Sequence, residues 1–150
     1  MTTMATTHVN VQRHESRAGA TYARFIDDLT ADTGWSRDDA DRYARAVVAT
    51  LEERLVGGEA SDLAAQLPAR LRERLDIEDV GRADPEMTTD EFLGRVAART
   101  DALVDEVDAI VACVFRTLRA HVTPGQAHHV EVQLPDELRR LWNGPSFGRR

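Results

Sequence analysis

Apolar residues recur every three or four positions through most of the chain, a spacing that only an α-helix gathers onto one face. The clearest stripe is Ala40, Tyr43, Ala44, Val47, Val48, Leu51 and Leu55. Ser36 stands before it as an N-cap, Asp38 and Asp39 fill the first turn where the helix dipole favours negative charge, and Gly57-Gly58 ends it. A shorter helix is predicted upstream over about 21–33, with Phe25, Ile26 and Leu29 on one face and Gly34 closing it. Downstream, Glu59 to Gln66 predicts a third helix. Pro68 interrupts it and is suited to begin a fourth that carries Leu71 and Leu75.

The same pattern then returns. Sliding the chain by 67 residues superposes Phe25 on Phe92, Leu51 on Leu118, Gly58 on Gly125 and Gln66-Leu67-Pro68 on Gln133-Leu134-Pro135, with 15 identities in 54 ungapped positions. The long stripe reappears as Val107, Ile110, Val111, Val114, Phe115, Leu118 and Val122. Thr88 and Glu91 form a capping-box sequence at the start of the second copy, and Thr123-Pro124 supplies a cap with proline at the first helical position.

The expected architecture is therefore all-α: two tandem homologous repeats of about four helices each, packed about a pseudo-twofold axis. Residues 21–142 would form a single helical domain, with repeat 1 over 21–75, a linker over 76–87 rich in acidic residues, and repeat 2 over 88–142. Residues 1–20 and 143–150 read as tails.

Composition narrows the chemistry. All 19 cations other than histidine are arginine, so a Schiff-base lysine, a P-loop lysine and a lysine general base are excluded. Net charge is −7, which disfavours nucleic acid as a partner because a basic patch would have to be built against the background field. One cysteine, Cys113, excludes an intramolecular disulfide and a multi-cysteine zinc site. No apolar run approaches the about 20 residues of a membrane span. The N-terminus does not read as a signal peptide, and a cytoplasmic location is the expectation.

Few residues are candidates for chemistry. His121, His128, His129 and Glu131 cluster about the second Pro-Gly turn, with His128 and Glu131 at a usable metal-ligand spacing, but the first copy has Arg54, Ser61, Asp62 and Ala64 there. Exposed histidines on a polar face are the preferred reading, with a metal-binding protein or enzyme as an alternative. Cys113 is read as a small buried hydrophobe. The acidic pairs Asp38-Asp39 and Asp105-Glu106 are explained by their first-turn positions. Arg70, Arg72 and Arg74, partly matched by Arg139 and Arg140, form the one basic concentration that repeats, read as a solvated face. Gln66 and Gln133 are read as structural, satisfying carbonyls freed by Pro68 and Pro135. Trp142 is expected to cover the end of the core, and Trp35 is the best candidate for a contact residue.

Two resemblances follow from these motifs. The twice-repeated pattern of Phe-Leu-x-x-Val-Ala or its equivalent, a long helix, Pro-Gly or Gly-Gly, and then Gln-Leu-Pro-x-x-Leu-Arg resembles the bacterial family catalogued as domain of unknown function 2267, over Tyr22 to Trp142. The resemblance implies a two-repeat helical fold and no established activity. Phe25-Ile26-Asp27-Asp28-Leu29, Thr33-Gly34-Trp35-Ser36, Asp39-Ala40, Ala46-Val47 and Gly58-Glu59 are similar to the helical half of histone-like HU-type proteins, without the strands and basic arms that grip DNA. The functional expectation is a non-enzymatic protein-interaction or adaptor module, partnered by another protein or by itself, with no catalytic, cofactor-binding or metal residues. A DNA-associated regulatory protein with an HU-like helical core is a further alternative.

Overall fold

The computed structural model describes residues 21–56, 58–73 and 83–144, and its regular structure among them is entirely helical. The elements are α1 (21–33), α2 (Arg37–Arg54), α3 (Glu59–Gln66), α4 (Arg70–Glu73), α5 (Thr89–Thr100), α6 (Val104–Ala120), α7 (Pro124–Glu131) and α8 (Asp136–Asn143). The expected tail over 1–20, most of the linker over 76–87, Leu75 and residues 145–150 lie outside the described residues.

The boundaries follow local chemistry. Gly34 (φ 78°) ends α1, a left-handed conformation open to glycine. The Ser36 hydroxyl accepts from the Asp39 N–H at 3.1 Å to start α2. The capping box forms as expected: Glu91 N–H donates to Thr88 Oγ1 (3.1 Å) and Thr88 N–H to Glu91 Oε1 (2.9 Å). Thr123 caps α7, with Pro124 at its start. The turns after the two Gln-Leu-Pro segments differ from expectation by a residue or two: Pro135 is the N-cap of α8 and not its first helical residue, and α4 starts at Arg70. Proline favours extended backbone in the residue before it, which holds Leu67 and Leu134 out of the helices.

The apolar stripes of α2 and α6 face the interior, where Val47, Leu51, Val111, Val114, Phe115 and Leu118 are all inaccessible to solvent. At about 1.5–3 kcal/mol for each large apolar side chain removed from water, these positions dominate the favourable side of folding. Trp142 closes one end, as expected: its ring lies edge-on to Phe115 (centroids 5.0 Å apart) and its Nε1–H donates to Ala127 O at 3.2 Å. Met87, assigned from sequence to the linker, is buried in the core, and its carbonyl accepts from Arg54 Nε at 3.0 Å.

α5 packs on both long helices, α2 on α4 and α6, α6 on α8, and α3 on α7. The glutamines take a role across this last seam that differs from the expected one. Gln66 Oε1 accepts from the backbone N–H of Thr123, and Gln133 Oε1 from that of Val56, both at 2.8 Å; Gln133 Nε2 returns a bond to Val56 O at 3.2 Å. Val56 and Thr123 are themselves 67 residues apart, the same separation as Gln66 and Gln133. The physical reason is proximity: both N–H groups lie just before a helix start, where no intrahelical acceptor exists.

Candidate functional site

Two short connections, α1 to α2 and α5 to α6, are built alike up to one point. In the first, the Thr33 hydroxyl donates to Leu29 O (2.7 Å) and accepts from Trp35 N–H (3.1 Å). In the second, the Thr100 hydroxyl donates to Val96 O (2.8 Å) and accepts from Ala102 N–H (3.2 Å). Gly34 then corresponds to Asp101, which adopts a left-handed conformation (φ 60°), tolerable for aspartate although less so than for glycine. Ser36 corresponds to Leu103, which begins α6 without a side-chain cap. Arg37 corresponds to Val104.

The consequence is an apolar edge in water. Leu103 is 65% exposed and Val104 82%. Asp101, Asp105, Glu106 and Asp108 beside them are also exposed, and the only cation from Val96 to Val111, Arg99, is turned into the interior contact with Glu53. Sequence reasoning singled out Asp105-Glu106 as first-turn acids but missed the pair of apolar residues before them. The signal was available in the 67-residue alignment, as a Ser-Arg to Leu-Val exchange at a helix cap.

The histidine cluster does not assemble. His121 turns to α1, with Nε2 2.7 Å from Asp28 Oδ2 and its ring 5.0 Å from Phe25. His129 Nδ1 lies 3.8 Å from Glu59 Oε1 on α3. His128 and Glu131 border an open groove of about 510 Å³, but Glu131 accepts from the Asn143 amide at 3.4 Å. Among the described residues no three His, Cys, Asp or Glu side chains converge as a ligand set, so the metal reading of His121, His128, His129 and Glu131 is corrected: His121 is held by Asp28 of α1, and the rings of His128 and His129 stand 6.5 Å apart.

The remaining candidates are equally committed elsewhere. Burial pushes the Cys113 thiol above its ordinary value, and the nearby Arg116 guanidinium only partly opposes this, so the residue lacks an activated thiolate. Arg139 is drawn onto Glu131 O (3.2 Å) and Leu134 O (2.9 Å). Arg70 is exposed, and the side chains of Arg72 and Arg74 lie outside the described residues. Trp35 is half-buried, edge-on to Tyr43 at 4.9 Å. A second open groove of about 360 Å³ is lined by Arg54, Met87, Pro135, Asp136 and Glu137 and brings no acid-base pair onto a substrate position.

One polar cluster escaped the sequence reading altogether. Glu53 is only 2% exposed and receives Arg99 through both carboxylate oxygens (3.1 and 2.7 Å) and Arg95 at 3.3 Å, while Arg99 also donates to the Thr50 hydroxyl at 2.7 Å. Arg95 holds Asp84 at 2.7 Å, and Asp84 N–H donates to Glu53 O. The visible sign was a second face on α2, Ala46, Ala49, Thr50 and Glu53, at helical spacing beside the main stripe.

No helix among the described residues is long and apolar enough to cross a membrane. The chain matches no curated protein. Residues 22–141 match the model of the family described as "Uncharacterized conserved protein (DUF2267)", and the chain belongs to that family.

Proposed function

We propose that the chain is a non-enzymatic, cytoplasmic protein-interaction or adaptor module, formed by two homologous repeats paired about a pseudo-twofold axis, and that its contact edge is Leu103-Val104. The observation that carries this reading is the exposure of both residues, 65% and 82%, at a helix start that has given up its cap. The Glu106 N–H turns to the Leu103 carbonyl instead (2.9 Å), and a start without a side-chain cap costs up to about 1 kcal/mol relative to serine. Exposed leucine and valine return nothing to the fold, so a contact outside the chain is the gain that offsets the loss. The acidic rim favours a protein segment that presents arginine or lysine around an apolar residue, since charge complementarity sets both encounter and register. Support for the repeats comes from the 67-residue sequence match and the reciprocal glutamine bonds.

No observation favours the HU-like alternative. Arg139 is spent on its own backbone, and the exposed carboxylates around α6 would repel a phosphate backbone.

The test installs the first half's own residues, Leu103→Ser with Val104→Arg, and compares both proteins as bait, with cross-linking mass spectrometry to locate the partner segment. The expected result is capture of a protein through a basic, apolar segment by the wild type, weakened by salt and lost in the variant. A partner that binds both equally removes this edge as the interface. Stoichiometric metal or nucleic acid in place of a protein overturns the adaptor reading.

A further inference from the structure

α1 and α5 occupy corresponding places in the sequence, and each reaches the long helix of the other half. Asp28 and Asp32, one turn apart on α1, meet His121 at the C-cap of α6 (2.7 Å) and Arg116 on α6 (3.1 Å). Arg95 and Arg99, one turn apart on α5, meet Glu53 on α2 at 3.3 and 2.7 Å. Asp28 and Arg95 are 67 residues apart, as are Asp32 and Arg99, so the same two sites carry carboxylates in one half and guanidinium groups in the other. The receiving helices differ in step: Glu53 corresponds to Ala120, and Arg116 to Ala49.

We propose that this charge reversal is a pairing code, which makes each half accept the other half of the chain and reject a like half of a second copy. The proposal rests on the repeat correspondence above and is independent of the partner reading. Two first halves brought together would set the buried Glu53 against Asp28 and Asp32 of the second copy in place of two guanidinium groups, with Ala49 where Arg116 stands and Arg54, at the position of His121, as the one cation on the receiving helix to offset three carboxylates. Two second halves would place Arg95 and Arg99 beside Ala120, with Arg116 and His121 close by, leaving guanidinium groups without the acceptor that Glu53 provides. The apolar surface supplies little discrimination, because Phe25 and Phe92, Val47 and Val114, and Leu51 and Leu118 are identical and the hydrophobic effect is non-directional. Selectivity here comes from repulsion in the wrong pairings as much as from attraction in the right one.

The experiment exchanges the charges in the full chain: Asp28→Arg, Asp32→Arg, Arg95→Asp and Arg99→Asp together. The new arginines of α1 then suit Glu53 of a second copy, and the new aspartates of α5 suit Arg116 and His121 of a second copy. Light-scattering mass at matched concentration is expected at least to double relative to wild type, with helical circular dichroism retained. A helical variant of wild-type mass overturns the code. Should the exchanged chain lose its helix, the neutral version (Asp28→Asn, Asp32→Asn, Arg95→Gln, Arg99→Gln) decides: a concentration-dependent mixture of masses where wild type gives one supports the code, and the wild-type distribution overturns it. Loss of helix in both variants without any gain in mass overturns the code together with the repeat correspondence. Loss of partner capture in the Leu103 and Val104 variant bears on neither.

Discussion

Replacing Glu53 by alanine tests how much the cross-half contact depends on one carboxylate. The side chain of Glu53 is 1% exposed, while its partners Arg99 and Arg95 retain 18% and 34% exposure. Removing one member of a buried ion pair costs about 3–5 kcal/mol, because the other is left desolvated without a partner. Both arginines can recover some water here, which places Glu53→Ala at the lower end, about 3 kcal/mol. Asp32 and Arg116, the pair made by the other exchanged helix, are 39% and 50% exposed, and pairs of that kind contribute about 0–1 kcal/mol. Urea denaturation followed by circular dichroism reads the contrast directly. With a slope of about 2 kcal/mol per molar urea, Glu53→Ala lowers the midpoint by about 1.5 M and Asp32→Ala by less than about 0.5 M. A double-mutant cycle with Arg99→Ala should show positive coupling between residues 53 and 99. Equal effects of Glu53→Ala and Asp32→Ala, or a cycle that closes without coupling, would refute the argument.

Four further outcomes are expected. Leu103→Ser should be more stable than Leu103→Ala by up to about 1 kcal/mol, since the Glu106 N–H now has only the Leu103 carbonyl (2.9 Å) as acceptor and serine adds a side-chain oxygen to the helix start; thermal melts of the two variants measure it. Gln133→Ala should cost more than Gln66→Ala, each on the order of 1 kcal/mol, because Gln133 makes two bonds to Val56 and Gln66 one to Thr123. Burial, and next to it the hydrogen bond to Asp41, raise the Tyr22 phenol above its ordinary 10.0, so the stabilisation it gives is complete below pH 10.0 and is lost as pH rises through the higher folded-state value. Tyr22→Phe should thus be about 1 kcal/mol less stable at neutral pH, with the deficit closing in alkali when urea titrations are repeated across pH. Cys113 should react with iodoacetamide more slowly than a free cysteine at pH 8 in the native protein and at the free rate in urea, as timed by mass spectrometry.

Much of the helical frame was legible because it is written in local terms. Ser36, Thr88, Thr123 and Gly34 mark helix ends through bonds to their own neighbours, and the stripes of α2 and α6 bury the residues their spacing selects. What stayed hidden depends on the other half of the chain. Gln66 and Gln133 were recognised as structural, yet their acceptor role lies 57 and 77 residues away, where helix periodicity carries no information. Glu53 went unremarked because a carboxylate near the end of a helix carries no local sign of burial, and the approach of α5 explains it. The histidines erred in the opposite direction: adjacency along the chain suggested a cluster, whereas a helix sends residues 128 and 129 about 100° apart, toward the groove and toward Glu59. Leu103 and Val104 were overlooked because two apolar residues before a stripe extend it smoothly, and their exposure appears only once the helix start is placed.

The most direct measurement of the central claim is native mass spectrometry of the full chain gently captured from its host, for wild type and for Leu103→Ser with Val104→Arg. The expected result is a stoichiometric protein partner on the wild type, free of metal and nucleic acid, and its absence from the variant. A wild-type chain that carries one divalent ion per copy and no protein partner, or a partner retained equally by both chains, would contradict it.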